Sequence, residues 1–169
     1  MAIFRRSVYE APAVAISVRP ATENDAADVV RLARALSLSD GGRPSQMTEQ
    51  AYREDGFGDN PAFRVLVAVV EDSIAGYALY FPGYDSDRAT RGIYLSDLYV
   101  DREWRRHGVG RALMKAAARA CSESGGAWMF WSVLKRNRDA RRFYRTIAPE
   151  LKDVVLCAAL GAAFERLTR

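Results

Sequence analysis

A mixed α/β fold is predicted by three features of the 169-residue sequence. Short runs of strand character, FRVLVAVVED at 63–72, IAGYALYF at 74–81 and GIYLSDLYV at 92–100, follow one another across short breaks. The spacing of apolar residues then changes to that of a helix, at Val109, Leu113, Ala116, Ala117 and Ala120. A further run, AWMFWSVL at 127–134, returns to strand character directly after Gly125 and Gly126. A period of two marks a strand and a period of 3.6 a helix, so the sheet is expected to be mixed and antiparallel in its first part.

In chain order, AVAISVR at 13–19 reads as the first strand. Asn24 or Asp25 then caps a helix in which Ala26, Val29, Val30, Ala33 and Leu36 share a face. SLSDGGRPSQ at 37–46 is the one loose stretch, and Thr48 caps a short helix that runs to about Asp55. The strands at 63–72 and 74–81 meet in a tight turn around Asp72 and Ser73, and the strand at 92–100 completes a meander. The helix from Val109 covers about four turns and stops at Gly125-Gly126. AWMFWSVL is apolar enough to be expected at the centre of the sheet, and RDARRFYRTI at 138–147 puts Ala140, Phe143, Tyr144 and Ile147 on one helical face. DVVLCAAL at 153–160 is expected to close the sheet, with AAFERLTR as a terminal helical turn or two.

Composition narrows the function classes. A hydrophobic fraction of 49% and a charged fraction of 27% suit one globular domain, 1–169, and the longest apolar runs fall short of a membrane span. The N-terminal stretch is interrupted by Glu10 and Pro12, so it is not a secretory leader, and a cytoplasmic location is expected. Lys and Arg exceed Asp and Glu by 25 to 21, an excess concentrated in DREWRRHGVGR at 101–111 and KRNRDARRFYR at 135–145. An anionic ligand is compatible with that balance. One histidine, His107, and two cysteines, Cys121 and Cys157, exclude a zinc site of Cys and His, and no metal is expected. A nucleic-acid module built on the basic 135–145 helix with Trp128, Trp131 and Tyr144 is the competing class. It is disfavoured because Arg138, Arg141, Arg142 and Arg145 point to several sides of that helix.

RRHGVG at 105–110 fits R-x-x-G-x-G between a strand and a helix, with Arg111 in the helix's first turn. Gly108 and Gly110 permit close approach of a ligand to backbone amides, and a helix start favours an anion such as a pyrophosphate. Alternatively the two glycines only make the turn. A Walker loop is absent, and the dinucleotide fingerprint fails because Leu113 stands where a third glycine is needed.

A strand ending LYV, a basic link, R-x-x-G-x-G, a helix, an apolar strand and then N-x-x-A-x-x-F-Y resemble the GNAT superfamily of N-acyltransferases over nearly the whole chain. EDGFG at 54–58, YALYFPGYD at 77–85 and IYLSDLYV at 93–100 resemble its diamine and thialysine acetyltransferases in particular. The resemblance implies a central mixed sheet of six to seven strands with helices on both faces, acetyl-CoA as co-substrate, and a homodimer formed through late strands. It implies that Arg105, Arg106, His107, Gly108, Val109, Gly110 and Arg111 hold the pyrophosphate. Backbone of the strand ending Leu98-Tyr99-Val100 is expected to polarise the acetyl carbonyl, and Asn137 is either a cofactor contact or a helix cap.

Tyr144 matches the tyrosine of the family's F-Y pair, which implies a general acid for the leaving thiolate; otherwise it is a core aromatic beside Phe143. Asp97 interrupts an apolar strand, so it is paired, hydrogen-bonded or functional. Simple alternation puts Ser96 and Asp97 on opposite faces, and the resemblance implies a bulge here that re-aims side chains. The diamine enzymes have Glu-Asp where this chain has Ser96-Asp97, so a water ordered by Ser96, with Asp97 as the nearest carboxylate, takes the place of a glutamate base. Asp85 matches a polyamine-contacting aspartate, with a solvated hairpin turn as the alternative, and Arg88 and Arg91 close by disfavour a polycation. The activity expected is direct attack of a small molecule's primary amine on acetyl-CoA, with a protein or peptide amine as a further alternative.

Overall fold

The computed structural model describes residues 15–169, so Ala13 and Val14 of the expected first strand lie outside the described residues. The chain forms two compact units, divided between Ser132 and Val133.

In the first unit the order is β1 (Ile16–Pro20), α1 (Ala26–Ser39), α2 (Glu49–Phe57), β2 (Arg64–Val70), β3 (Ser73–Asp85), β4 (Thr90–Val100), α3 (Val109–Glu123) and β5 (Gly126–Trp131). The strands form one sheet in the order β1-β2-β3-β4-β5, antiparallel from β1 to β4 and parallel between β4 and β5. The mixed character and the meander are as the sequence predicts, with five strands among the described residues rather than six to seven. Val65, Val67, Tyr77, Leu79 and Tyr99 pack on Val29, Val30, Leu32 and Ala33 of α1 and on Tyr52 of α2. The alternate residues Leu66, Ala68, Ala78, Tyr80 and Leu95 are buried on the opposite face, as are Val109, Leu113, Met114, Ala117 and Cys121 of α3. Helices therefore cover both faces.

Local chemistry sets the boundaries. The β2–β3 turn is Glu71-Asp72, with φ of 48° and 61°, one residue earlier than predicted. Two consecutive left-handed residues make the turn whose twist matches a hairpin, and aspartate tolerates that conformation. β3 continues past the predicted 81 through Pro82 to Asp85. Pairing with β2 ends at Tyr80, so Pro82 sits where that flank of β3 asks for no N–H donor. Thr48 caps α2 as expected, its hydroxyl accepting from Ala51 N at 3.1 Å.

At the start of α1 the work falls to Thr22 and Asp25 rather than Asn24. The Asp25 carboxylate accepts from Thr22 N at 2.7 Å and from both terminal nitrogens of Arg19 at 2.7 and 2.9 Å. Arg19, against the cost of burial, holds the Asp25 carboxyl down at about 2. A carboxyl held below its unfolded value contributes stability above about pH 4, which is lost as pH falls toward 2. Asp25→Asn is therefore expected to cost about 2 kcal/mol at pH 7, with a deficit that closes over that acid window in urea melts.

Two sheet expectations are corrected. β5 is an edge strand among the described residues, not a central one, since it pairs with β4 alone. Its apolarity has another source: Trp128 and Phe130 join Phe81 and Tyr94 in a ring cluster on one face, with centroids 5.0–5.9 Å apart. Residues 153–160 form no strand.

The second unit, Val133–Arg169, holds α4 (Arg138–Tyr144) and α5 (Ala162–Leu167). Arg141 forks onto Glu150 with two bonds of 2.8 Å. Val155, Leu156 and Leu160 of the apolar run are 84%, 79% and 77% exposed. The run has the composition of a strand, but strand pairing needs a neighbour, and these residues pair with none among the described residues. No helix among the described residues is long and apolar enough to cross a membrane.

Candidate active site

The regular pairing of β4 is interrupted. Leu79 opposes Asp97 while Tyr80 opposes Leu95, so Ser96 is one residue extra on β4. In an unbroken strand Leu95 and Asp97 share a face; the bulge at Ser96 moves Asp97 to the face of Tyr77, Leu79 and Tyr99. There Asp97 Oδ2 accepts from the Tyr77 hydroxyl at 2.7 Å, and Oδ1 accepts from Ser96 Oγ at 3.2 Å. Asp97 forms no ion pair among the described residues, so the salt bridge open to it in the sequence is not made. Burial first, and the Asp97 charge second, push the Tyr77 hydroxyl far above the ordinary phenol range.

Beyond the bulge the same strand parts from β5. Pairing of β4 with β5 ends at Leu95 and Trp131, while pairing with β3 continues to Val100. From Ser96 to Val100 the β5 side of β4 therefore has no strand partner among the described residues. Leu98 and Val100, both half-buried, lie in this stretch. The chain then turns through Arg102–Trp104 into the loop that starts α3. Gly108 caps α3 at φ 91°, a left-handed conformation that strains any residue with a Cβ, and Arg106 adopts φ 72° beside it. Val109, Gly110 and Arg111 form the helix's first turn, whose N–H groups have no preceding carbonyl in the helix. Arg105 donates to Val100 O at 3.0 Å and stacks over the Tyr99 ring at 5.2 Å, tying the loop to the end of β4. The His107 ring meets Trp104 edge-on at 6.2 Å.

The first unit thus brings together Ser96, Asp97, Leu98, Val100 and the 105–111 loop. Asn137 and Tyr144 belong to the second unit. Asn137 is the α4 cap, its side chain accepting from Ala140 N at 3.1 Å. Tyr144 closes the same helix, half-buried, its ring 5.3 Å from Phe143.

Asp85 ends β3 in a turn, with Oδ1 accepting from the amides of Asp87 and Arg88 and Oδ2 from the Arg88 guanidinium at 2.6 Å. The Arg88 contact holds its carboxyl below the usual range. The hairpin alternative is therefore the geometry observed. Hollows of about 610 and 580 Å³ lie between α1 and the start of α2 and beside the β2–β3 turn, and no predicted site residue lines either.

Tyr77 and the ring cluster are the site features that the sequence reading missed. Tyr77 opens the YALYFPGYD segment at 77–85, but its tie to Asp97, 20 residues on, depends on the β3–β4 register. The cluster carried a local signal in Gly83 and Gly92, where a Cβ has no room beside the Trp128 indole.

The sequence profile of the Acetyltransferase (GNAT) family covers residues 30–147. The chain belongs to the GNAT family. It is 34% identical to the thialysine N-epsilon-acetyltransferase of Sus scrofa over 144 residues, which span 78% of this chain and 82% of that protein. It is 31% identical to the L-ornithine N5-acetyltransferase of Arabidopsis thaliana over 97 residues, 57% of this chain and 42% of that one. An integron cassette protein of V. cholerae superposes with a TM-score of 0.77 at 21% identity, covering 91% of this chain and 98% of that chain, a likeness of fold. This GNAT chain is an N-acetyltransferase.

Proposed function

We propose that the chain acts as a single catalytic domain, 1–169, which moves the acetyl group of acetyl-CoA to a primary amine of a small molecule, as a cytoplasmic homodimer. The observation that carries this reading is the conjunction at one end of β4: strand backbone from Ser96 to Val100 with no β5 partner among the described residues, the Gly108 helix start, and at Asp97 a carboxylate held by hydrogen bonds and without an ion pair among the described residues. The residues fit the co-substrate. The amides of Val109, Gly110 and Arg111, with Arg106 and His107 beside them, would hold a pyrophosphate, and Asn137 is a further contact. When bound, acetyl-CoA supplies an activated acetyl thioester.

The chain's own groups do the rest. Backbone amides between Leu98 and Val100 donate to the acetyl carbonyl where negative charge develops. The acceptor attacks directly and needs no covalent enzyme intermediate. Tyr144 gives the departing thiolate its proton, the role implied by the F-Y match. An amine with a pKa near 10.4 is almost wholly protonated at pH 7, so exposing its lone pair costs about 4–5 kcal/mol. Asp97 receives that proton through water ordered by Ser96.

The acceptor is amino-acid-like or a short diamine rather than a long polycation. The two relatives act on thialysine and ornithine by name, Arg88 occupies Asp85, and Arg91 is exposed nearby. The Phe81, Tyr94, Trp128 and Phe130 rings lie on the Asp97 side of the sheet and offer faces to an ammonium. Acetyl-CoA consumption across polyamines, thialysine, lysine analogues, aminoglycosides and peptide N-termini tests this reading. The highest kcat/KM on peptide N-termini would overturn the small-molecule acceptor. Asp97→Asn is expected to lower kcat/KM roughly 100-fold with acetyl-CoA binding intact, and wild-type turnover should climb from pH 7 to 9. A flat profile together with full activity in Asp97→Asn removes Asp97 from the mechanism.

The homodimer is supported by the exposed apolar run at Val154, Val155, Leu156 and Leu160, which a second copy would cover. Val155→Asp/Leu156→Asp is expected to convert a dimer to a monomer in light scattering, and a monomeric parent contradicts it. The exposed free thiol of Cys157 suits a reducing compartment.

A further inference from the structure

We infer that Tyr77 is a positioning residue for the transfer: its hydroxyl aims and holds the Asp97 carboxylate that takes the acceptor's proton. This rests on the function proposed above. Tyr77 is fully buried among Val67, Leu79 and Tyr99, and its hydroxyl lies 2.7 Å from Asp97 Oδ2. A buried phenol has one proton to give, and here it goes to that carboxylate. The contact exists only because of the bulge, since without the extra Ser96 the carboxylate would stand on the opposite face of β4.

The choice of partner has a chemical consequence. An arginine would orient Asp97 but cancel its charge and weaken it as a proton acceptor, whereas a neutral hydroxyl orients it and leaves the charge in place. The Tyr77 proton is held far above its ordinary titration range, so the group remains a donor at every working pH. Among the described residues the second oxygen, Oδ1, accepts only from the exposed Ser96 hydroxyl, at 3.2 Å, and keeps a lone pair for water. In the step proposed, the bound ammonium gives one proton to that water, the water gives one to Oδ1, and the N–H electron pair becomes the attacking lone pair. Asp97 is left as a neutral acid and releases its proton to solvent after the transfer.

The test is a cycle of Tyr77→Phe, Asp97→Asn and the double variant, with Tyr52→Phe as control. Tyr52 also buries a phenol that donates a hydrogen bond, to Thr22 O at 3.0 Å, but belongs to the α2 core. Tyr77→Phe keeps the ring and is expected to lower kcat roughly 10-fold to 100-fold with the acceptor KM and the acetyl-CoA-induced Tm shift near wild type. The double variant should be no slower than Asp97→Asn. Tyr52→Phe should lower Tm and leave kcat alone. A slow Asp97→Asn beside a Tyr77→Phe with wild-type kcat, or with losses that add to those of Asp97→Asn, overturns the positioning role and leaves the proposed function standing. Wild-type turnover in Asp97→Asn, or no acetyl transfer to any amine, overturns both.

Discussion

Tyr144→Phe is expected to lower kcat by about two to four powers of ten while acetyl-CoA affinity stays within a few-fold of wild type. The size follows from the leaving group's need. A phenol with an ordinary pKa near 10 is protonated at neutral pH and suits proton delivery to a departing thiolate, whereas phenylalanine fills the same volume with no proton to give. Tyr144 stands at the last position of α4, and the helix that carries it is fixed at its other end by the Asn137 cap. Asn137→Ala therefore supplies a contrast. Loss of the cap costs about 1 kcal/mol of stability, and only its acetyl-CoA affinity should fall if Asn137 is also a cofactor contact. Steady-state kinetics of both variants over several pH values separate the roles. Near-normal kcat in Tyr144→Phe would remove the general acid and leave the thiolate to take its proton from water.

Sequence spacing made the helices and the order of the strands readable, because each depends on residues close together in the chain. Val109, Leu113 and Ala117 announce the buried face of α3, and Gly125, at φ 78°, ends the helix where the glycine pair lies. The glycine loop was readable for the same reason. The bulge was legible only through family resemblance, since its position at Ser96 is fixed by pairing with β3 rather than by β4 itself. The Tyr77 to Asp97 bond depends on that register and left no mark in local pattern. The two misplaced strands share a cause: AWMFWSVL and DVVLCAAL are apolar without alternation, and such runs report hydrophobicity but not which neighbour, if any, receives it. In β5 the payload is an aromatic face at a sheet edge, and at 153–160 it is exposed.

Gly110→Val is expected to abolish the stabilisation that acetyl-CoA gives the parent protein. A ligand at about 100 times its Kd adds about 2.7 kcal/mol to the native state, which for a domain of this size raises Tm by about 5–10 °C. The two glycines of the loop do not test the point equally well. Gly108 has φ 91°, so Gly108→Val strains the backbone as well as crowding the ligand, and its unliganded form should already melt lower. Gly110 lies in the first turn of α3 with ordinary helical backbone, where a side chain costs no backbone strain and glycine is itself the poorer helix former. Gly110→Val should therefore melt no lower than the parent without ligand and show no shift with it, since its methyl groups stand where the amides must approach phosphate oxygens. Thermal scans of the parent and both variants, with and without acetyl-CoA, give the answer directly. A full ligand-induced shift in Gly110→Val would mean that the helix start does not hold the pyrophosphate, and Gly108 would then be there for the turn alone.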